Sequence, residues 1–317
     1  MNCVMMATES CNISCKYCYM DANGKNHDIE PIGPLLDIIE HLECIKIDKL
    51  IIGGGEPFLR GDIFKILKKS VERMPTSILT NGTLINQKLV EKLKQIGIQG
   101  LGISLDSPYP EVHNQYRDGS FDLANEALKL CVKEEIDVDM GVCVTKKNFK
   151  DSIKLIEMAE NMGLKSITFE GLNPVGRAKE LHSLELTAYE TDFILNTING
   201  YLKDEKPDVD VIIFYPQWVR WKSSASGCEA CKDLFSLLPN GDMLACSNLP
   251  VILGNILEDD FNDIWNSKLA DYIRNKRFGG CNVCEFKEKC GGCRSRAYGT
   301  GNIFGSDPSC TLAYKNR

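Results

Sequence analysis

Over the first half of the chain, short apolar runs alternate with longer stretches in which apolar residues recur every three or four positions. The runs lie at Val4–Ala7, Leu50–Ile52, Ser77–Leu79, Leu101–Leu105, Met140–Val144 and Ser166–Phe169. Between them, the spacings Ile63-Ile66-Leu67-Val71, Leu89-Leu93-Ile96, Leu123-Ala127-Leu128-Leu130 and Ile153-Ile156-Met158-Ala159 predict amphipathic helices. Gly97 and Gly163 stand where two of these helices would end. Repeated strand–helix alternation predicts a parallel sheet, either doubly wound or curling toward a barrel. The pattern is hardest to read from 171 to 227, which holds a helical segment at Leu186–Leu202 and an apolar run at Val209–Phe214. From Cys228 the rhythm changes to cysteines, glycines and short elements, which puts a domain boundary between 175 and 225.

The 317 residues suit one large α/β domain with a smaller appendage, and 43% hydrophobic with 26% charged residues is ordinary globular composition. A net charge of −7 argues against a nucleic-acid-binding surface. The longest apolar stretches, such as Lys49 to Gly53 and Val251 to Leu253, are far too short to span a bilayer. The start, Met1-Asn2-Cys3-Val4, has neither the basic region nor the apolar run of a signal peptide, so the expected compartment is the cytoplasm. There, fifteen cysteines point to metal rather than to disulfides. Cys3, Cys44, Cys131 and Cys143 stand apart from the clusters and are expected to be buried thiols in the core.

Cys11, Cys15 and Cys18 follow the first strand in one loop. Three thiolates at this spacing hold three corners of an iron–sulfur cube and leave one iron open. A zinc site would need a fourth ligand from elsewhere. A loop after a parallel strand lies on the face where barrel enzymes place their chemistry. Eight further cysteines crowd the last third: Cys228, Cys231, Cys246, Cys281, Cys284, Cys290, Cys293 and Cys310. Eight is the number that closes two four-iron clusters, although the C-x2-C pairs also have zinc spacing.

The segment Cys11-x3-Cys15-x2-Cys18, with Tyr17 before the last cysteine, resembles the signature of the radical S-adenosylmethionine superfamily. Gly53-Gly54-Gly55-Glu56-Pro57, Thr80-Asn81-Gly82-Thr83 and Ser104-Leu105-Asp106 resemble further segments of that family, each ending a strand. The resemblance implies a partial (β/α)6 barrel in an α/β chain and a reduced cluster that splits S-adenosylmethionine to a 5′-deoxyadenosyl radical. It also implies cofactor contacts. Glu56 would receive the amino group, with Gly54 and Gly55 allowing a close backbone approach. Asn81, Ser104, Asp106 and Arg117 would meet the carboxylate or ribose, and Tyr17 would pack on the adenine.

The C-terminal cysteines resemble the SPASM domain, which carries two auxiliary 4Fe–4S clusters, although the gap between Cys290 and Cys293 is two residues where many relatives have three. Carried over, the first auxiliary cluster would take Cys228, Cys231, Cys246 and Cys293, and the second Cys281, Cys284, Cys290 and Cys310. The implied division is 1–200 for the barrel and 201–317 for the auxiliary domain, with three clusters in all. Members of this branch mostly modify peptides, by crosslinking or epimerisation for example, so a peptide is the first expected substrate. The sulfatase-maturing branch has an aspartate where Ser247 stands, which argues against that activity. The first cluster cysteine comes at residue 11, which leaves no room before it for a leader-binding domain, so a separate recognition protein is a candidate partner. The tail from Cys290 to Cys310 also resembles the haem-biosynthesis branch, making tetrapyrrole side chains the second expectation. A flavodoxin or ferredoxin would supply electrons under anaerobic conditions. At the remaining strand ends, Glu170 is expected to cap the following turn, with binding of a polar substrate group as the alternative, and Cys143 to be a core thiol, with hydrogen donation to a substrate radical as the alternative. From a different class, a non-catalytic iron–sulfur or zinc scaffold would use the same cysteines without cleaving the cofactor.

Overall fold

The structure is a computed structural model that describes residues 1–22 and 31–315. Seven strands, β1 (Asn2–Met6), β2 (Lys49–Gly53), β3 (Thr76–Thr80), β4 (Gly100–Ser104), β5 (Val138–Val144), β6 (Ser166–Gly171) and β7 (Asp210–Phe214), lie side by side in chain order. All of them pair in parallel. Parallel neighbours need crossovers, which α1 (Ile32–Cys44), α2 (Ile63–Val71), α3 (Gln87–Ile96), α4 (Pro110–Tyr116), α5 (Phe121–Lys133), α6 (Ser152–Met162) and α7 (Ala188–Asp204) provide. The six expected strands are present. The Val209–Phe214 run adds a seventh.

Beyond β7 the chain returns to the opposite side of the sheet. There β8 (Leu234–Leu237) pairs in parallel with β1, and β9 (Asp242–Cys246) and β10 (Leu249–Asn255) continue antiparallel. The result is one ten-stranded sheet with edges at β10 and β7, open rather than closed. β1 therefore lies between two partners, β2 and β8, and Cys3 and Met5 within it are fully buried.

The helices bury the faces their periodicity marks. On α1 the inner stripe is Leu35, Ile38, Ile39 and Leu42, each at 0% exposure, worth roughly 1.5–3 kcal/mol apiece. Cys44 is off that stripe at the end of α1 and is exposed, so the expectation of a buried thiol fails there, whereas Cys3 and Cys131 are buried and Cys143 is half-buried. Gly97 and Gly163 end α3 and α6 in the left-handed conformation, at φ 80° and 74°. This scaffold brings the loops after β1, β2, β3 and β4 to one end of the sheet.

Candidate active site

The loop after β1 carries Cys11, Cys15 and Cys18, which form one apolar cluster with Ile13, Met20 and Ala22. Its course is set by the strand beside it. Gly55 N donates to Thr8 O and Glu56 N to Ser10 O, both at 2.8 Å. A Cβ on Gly54 would stand 2.4 Å from Thr8 O, and one on Gly55 would stand 2.1 Å from Ser10 O. These glycines thus let the β2 loop lie against the cysteine loop, and Gly54 adds a φ of 128° that side chains rarely adopt. Burial raises the Cys11 thiol and pushes Cys15 up to about 11, with Arg117 pulling the latter back down. Any metal bound here must displace those protons.

Glu56 is fully buried beneath this loop. Its carboxylate accepts from Asn81 N at 2.8 Å, Phe58 N at 3.1 Å and the Thr80 hydroxyl at 2.8 Å. Burial nevertheless pushes it up to about 7 against those three hydrogen bonds. Asn81 Nδ2 donates to Asn12 Oδ1 at 2.9 Å and reaches toward Cys11 Sγ at 3.7 Å, so the β3 end also touches the cysteine loop.

Asp106 is the second hub. Its carboxylate pairs with the Arg117 guanidinium, accepts from Cys143 N at 2.7 Å, and receives the Tyr17 hydroxyl. Burial opposes its charge, yet Arg117 outweighs that and holds the carboxyl below its usual range. Tyr17 stacks on Tyr116 with centroids 5.8 Å apart, and Arg117 lies over the Tyr17 ring at 5.5 Å. Burial also pushes His113 down to about 4, so its neutral Nδ1 accepts from Asp106 N at 3.2 Å. Ser104, half-buried at the end of β4, pairs in register with Gly141.

The C-terminal cysteines gather in two neighbourhoods. Cys228 lies within electrostatic reach of Cys231, Cys246 and Cys293, and Cys246 also of Cys293. Cys281, Cys284, Cys290 and Cys310 instead line a single open pocket together with Gln217 and Gly292. The backbone ties the two sets together through Cys228 N donating to Cys290 O at 2.8 Å. Asp307 links them again, accepting from Cys293 N at 2.7 Å and donating its own N–H to Cys281 Sγ at 3.4 Å. All fifteen cysteines are free thiols. Among the described residues no three His, Cys, Asp or Glu side chains converge on a point as a single ion requires. Thiols spread around a cavity fit a larger thiolate-bound body such as a cluster.

One residue outside the expected set organises the first loop. Arg177 Nε donates to Cys15 O at 2.7 Å, and Nη1 to Ala22 O and to Asp21 Oδ1, each at 2.8 Å. Its own N–H reaches Cys18 O at 2.9 Å, and the preceding Gly176 at φ 57° leaves no room for a Cβ beside the Cys18 and Tyr19 carbonyls. The only sequence signal was the glycine after Pro174-Val175, in the stretch with the weakest periodicity. Cys143 and Glu170 sit on adjacent strands in register with each other. Glu170 accepts from Asn248 at 2.6 Å and Asn173 at 3.3 Å, so it joins β6 to the loop following Cys246 rather than standing free.

Comparison with known proteins agrees with this geometry. Residues 5–159 match the model of the radical SAM superfamily, and residues 228–294 match that of the SPASM iron–sulfur cluster-binding domain. The chain is 29% identical to the AdoMet-dependent heme synthase of Methanosarcina barkeri, across 96% of this chain and 94% of that protein. It is 27% identical to the mycofactocin maturase MftC of Mycobacterium ulcerans, across 97% of this chain and 86% of that one. In fold it is similar to Streptococcus suis SuiB bound to S-adenosylmethionine, with a TM-score of 0.80, 18% identity, and coverage of 98% of this chain and 77% of that one. It is equally similar to native anSMEcpe with bound AdoMet, with a TM-score of 0.79, 21% identity, and coverage of 100% and 96%. Two ordered domain matches, an open α/β sheet of the same kind and three thiols in the loop after β1 lead to one conclusion: the chain is an enzyme with a radical SAM domain and a C-terminal SPASM domain.

Proposed function

We propose that the enzyme holds three 4Fe–4S clusters and abstracts hydrogen from a C–H bond of a peptide. Cys11, Cys15 and Cys18 would hold the cluster that binds S-adenosylmethionine. Cys228, Cys231, Cys246 and Cys293 would hold one auxiliary cluster, and Cys281, Cys284, Cys290 and Cys310 the other. The two neighbourhoods of four free thiols support this division. The catalytic part would run from 1 to 200 and the cluster-bearing part from 201 to 317. When bound, the first cluster and its cofactor supply a 5′-deoxyadenosyl radical at the cost of one electron, taken in the cytoplasm from a flavodoxin or ferredoxin.

The chain's own task is to bind, orient and exclude water. Glu56 in its carboxylate form would accept the cofactor's ammonium, with Gly54, Gly55, Asn81, Ser104, Asp106 and Arg117 around the remaining polar groups. The Tyr17–Tyr116 stack closes one side of this mouth with an apolar wall.

One observation favours a peptide over a tetrapyrrole. Three arginines near the strand ends already have carboxylate partners: Arg117 with Asp106, Arg177 with Asp21 and Arg296 with Asp307. The propionates of a tetrapyrrole call for uncompensated cations, whereas peptide amides are served by neutral groups such as Asn173 and Asn248 beside Glu170. The second reading, modification of tetrapyrrole side chains, draws on the heme synthase relative, which aligns over nearly its whole length. Anaerobic turnover followed by mass spectrometry decides between them. Peptides encoded beside the gene are expected to change mass. A mass change confined to an iron-coproporphyrin control would overturn the peptide reading.

A further inference from the structure

Two guanidinium groups are buried between the auxiliary cysteine sets with no carboxylate hydrogen-bonded to them among the described residues. Arg277 is 6% exposed and Arg294 is 1% exposed. Arg277 donates only to backbone carbonyls: Gly291 O at 2.6 Å, Lys276 O at 2.8 Å, Ile273 O at 3.0 Å and Arg274 O at 3.1 Å. Arg294 does the same, to Ile303 O at 2.8 Å, Gly305 O at 2.9 Å and Gly292 O at 3.0 Å, and its Nη2 is buried with no partner. The two cations also lie close enough to repel each other. A buried charge without a counter-charge is strongly destabilising, and two of like sign are worse. Asp307, whose Cβ also lies beside Gly292, is already engaged by Gln217, Cys293 N, Ser309 and Arg296, so the two guanidiniums still call for an anion of their own.

The surroundings identify it. Arg277 is within electrostatic reach of Cys228 in one set and of Cys281 and Cys290 in the other. Arg294 faces Cys281 across Gly292, where a Cβ would stand 2.7 Å from Arg294 Nη2 and 3.1 Å from Cys281 Sγ. A Cβ on Gly291 would likewise meet Arg277 Nη2 at 2.9 Å. The run Cys290-Gly291-Gly292-Cys293-Arg294 thus acquires a physical reason. Its two glycines, at φ 66° and 65°, remove the side chains that would keep the guanidiniums away from the thiolates.

We propose that Arg277 and Arg294 are the fixed counter-charge shared by the two auxiliary clusters, raising the reduction potential of both and binding them as one electrostatic unit. This rests on the three-cluster reading. A cation beside a cluster favours its more negative, reduced form, so the pair makes the auxiliary clusters better electron acceptors than thiolate ligation alone would. Both are positioning residues, acting on the clusters through charge rather than touching substrate.

The test is a potentiometric titration, followed by electron paramagnetic resonance, of the anaerobically reconstituted full chain and of Arg277→Gln, Arg294→Gln and Arg277→Lys. Iron content is measured first. About twelve irons per chain in the parent supports the three-cluster reading, and about four would refute that reading separately. With the parent loaded, both glutamine variants are expected to shift the auxiliary signals to more negative potential. Arg277→Lys should stay near the parent, and the signal of the S-adenosylmethionine-binding cluster should not move. If a glutamine variant loses auxiliary iron, retention by Arg277→Lys supports the charge role, and equal loss by Arg277→Lys overturns it. Unshifted potentials in fully loaded glutamine variants, or a lysine variant that shifts as far as the glutamine one, would also overturn it.

Discussion

At the scale of single residues, Glu56 gives the site its sharpest pH dependence. Its carboxyl is raised to about 7 by burial, and an ammonium can pair only with the ionised form. S-adenosylmethionine affinity is therefore expected to climb with pH up to about 7, changing about tenfold per unit below, and to fall again as the ligand's own ammonium loses its proton at about 8. Isothermal titration across pH 5.5 to 8.5 (a range of roughly three units about that value) checks this. Glu56→Gln should bind about 1.5–3 kcal/mol more weakly, with the slope gone. The sign for stability is opposite. Because the folded state holds this proton more tightly than the unfolded one, the ligand-free protein should lose stability as pH rises from about 4.5 to about 7. The identities of Glu56, Asn81, Asp106 and the cysteines were legible because their motifs are local. Their bonding was not. That Asp106 would pair with Arg117 and gather Tyr17 and Cys143 depends on three elements meeting, and no spacing along the chain encodes that.

Among the elements, the cysteine loop is held less by its own sequence than by two neighbours, the glycine-rich end of β2 and the Gly176-Arg177 turn. Arg177→Ala removes three side-chain hydrogen bonds to that loop. Charge-assisted bonds of this kind are worth about 1.5–3 kcal/mol each at best. The variant is expected to release iron from the three-cysteine site faster than the parent while keeping its auxiliary iron. Chelator-challenge kinetics with spectroscopic resolution of the sites measures this, and release at the parental rate would contradict the clamp. Most strands and the helices α2, α3, α5, α6 and α7 were readable from period alone, since each buries one stripe or one short run. Two of the remaining elements show why the others were not. The segment of α1 begins Ile32-Gly33-Pro34 and is flanked by residues without periodicity, so the helix did not declare itself, and Cys44 was misplaced with it. The Val209–Phe214 run became a strand, over Asp210–Phe214, because β6 offered an edge, with Ile213 as its single buried residue.

For the whole molecule, the joining of the two domain matches in one sheet was invisible in the sequence. β8 pairs with β1 across more than two hundred residues, from Asn2 opposite Leu234 to Met5 opposite Leu237, and no local signal reports a contact at that separation. Its consequence is geometric. The strand that leads into Cys11 is also the strand that anchors the hairpin ending in Cys246, so the first cysteine loop and Cys246 share a rigid base. Asn173 near Cys293 and the Glu170–Asn248 bond tie the same two regions at the strand ends. The most direct measurement is the formation of 5′-deoxyadenosine from S-adenosylmethionine by the dithionite-reduced, reconstituted enzyme under anaerobic conditions. The parent should produce it and Cys15→Ala should not. No 5′-deoxyadenosine from an iron-loaded parent, or an undiminished yield from Cys15→Ala, would contradict the assignment of Cys11, Cys15 and Cys18 as the catalytic cluster's ligands.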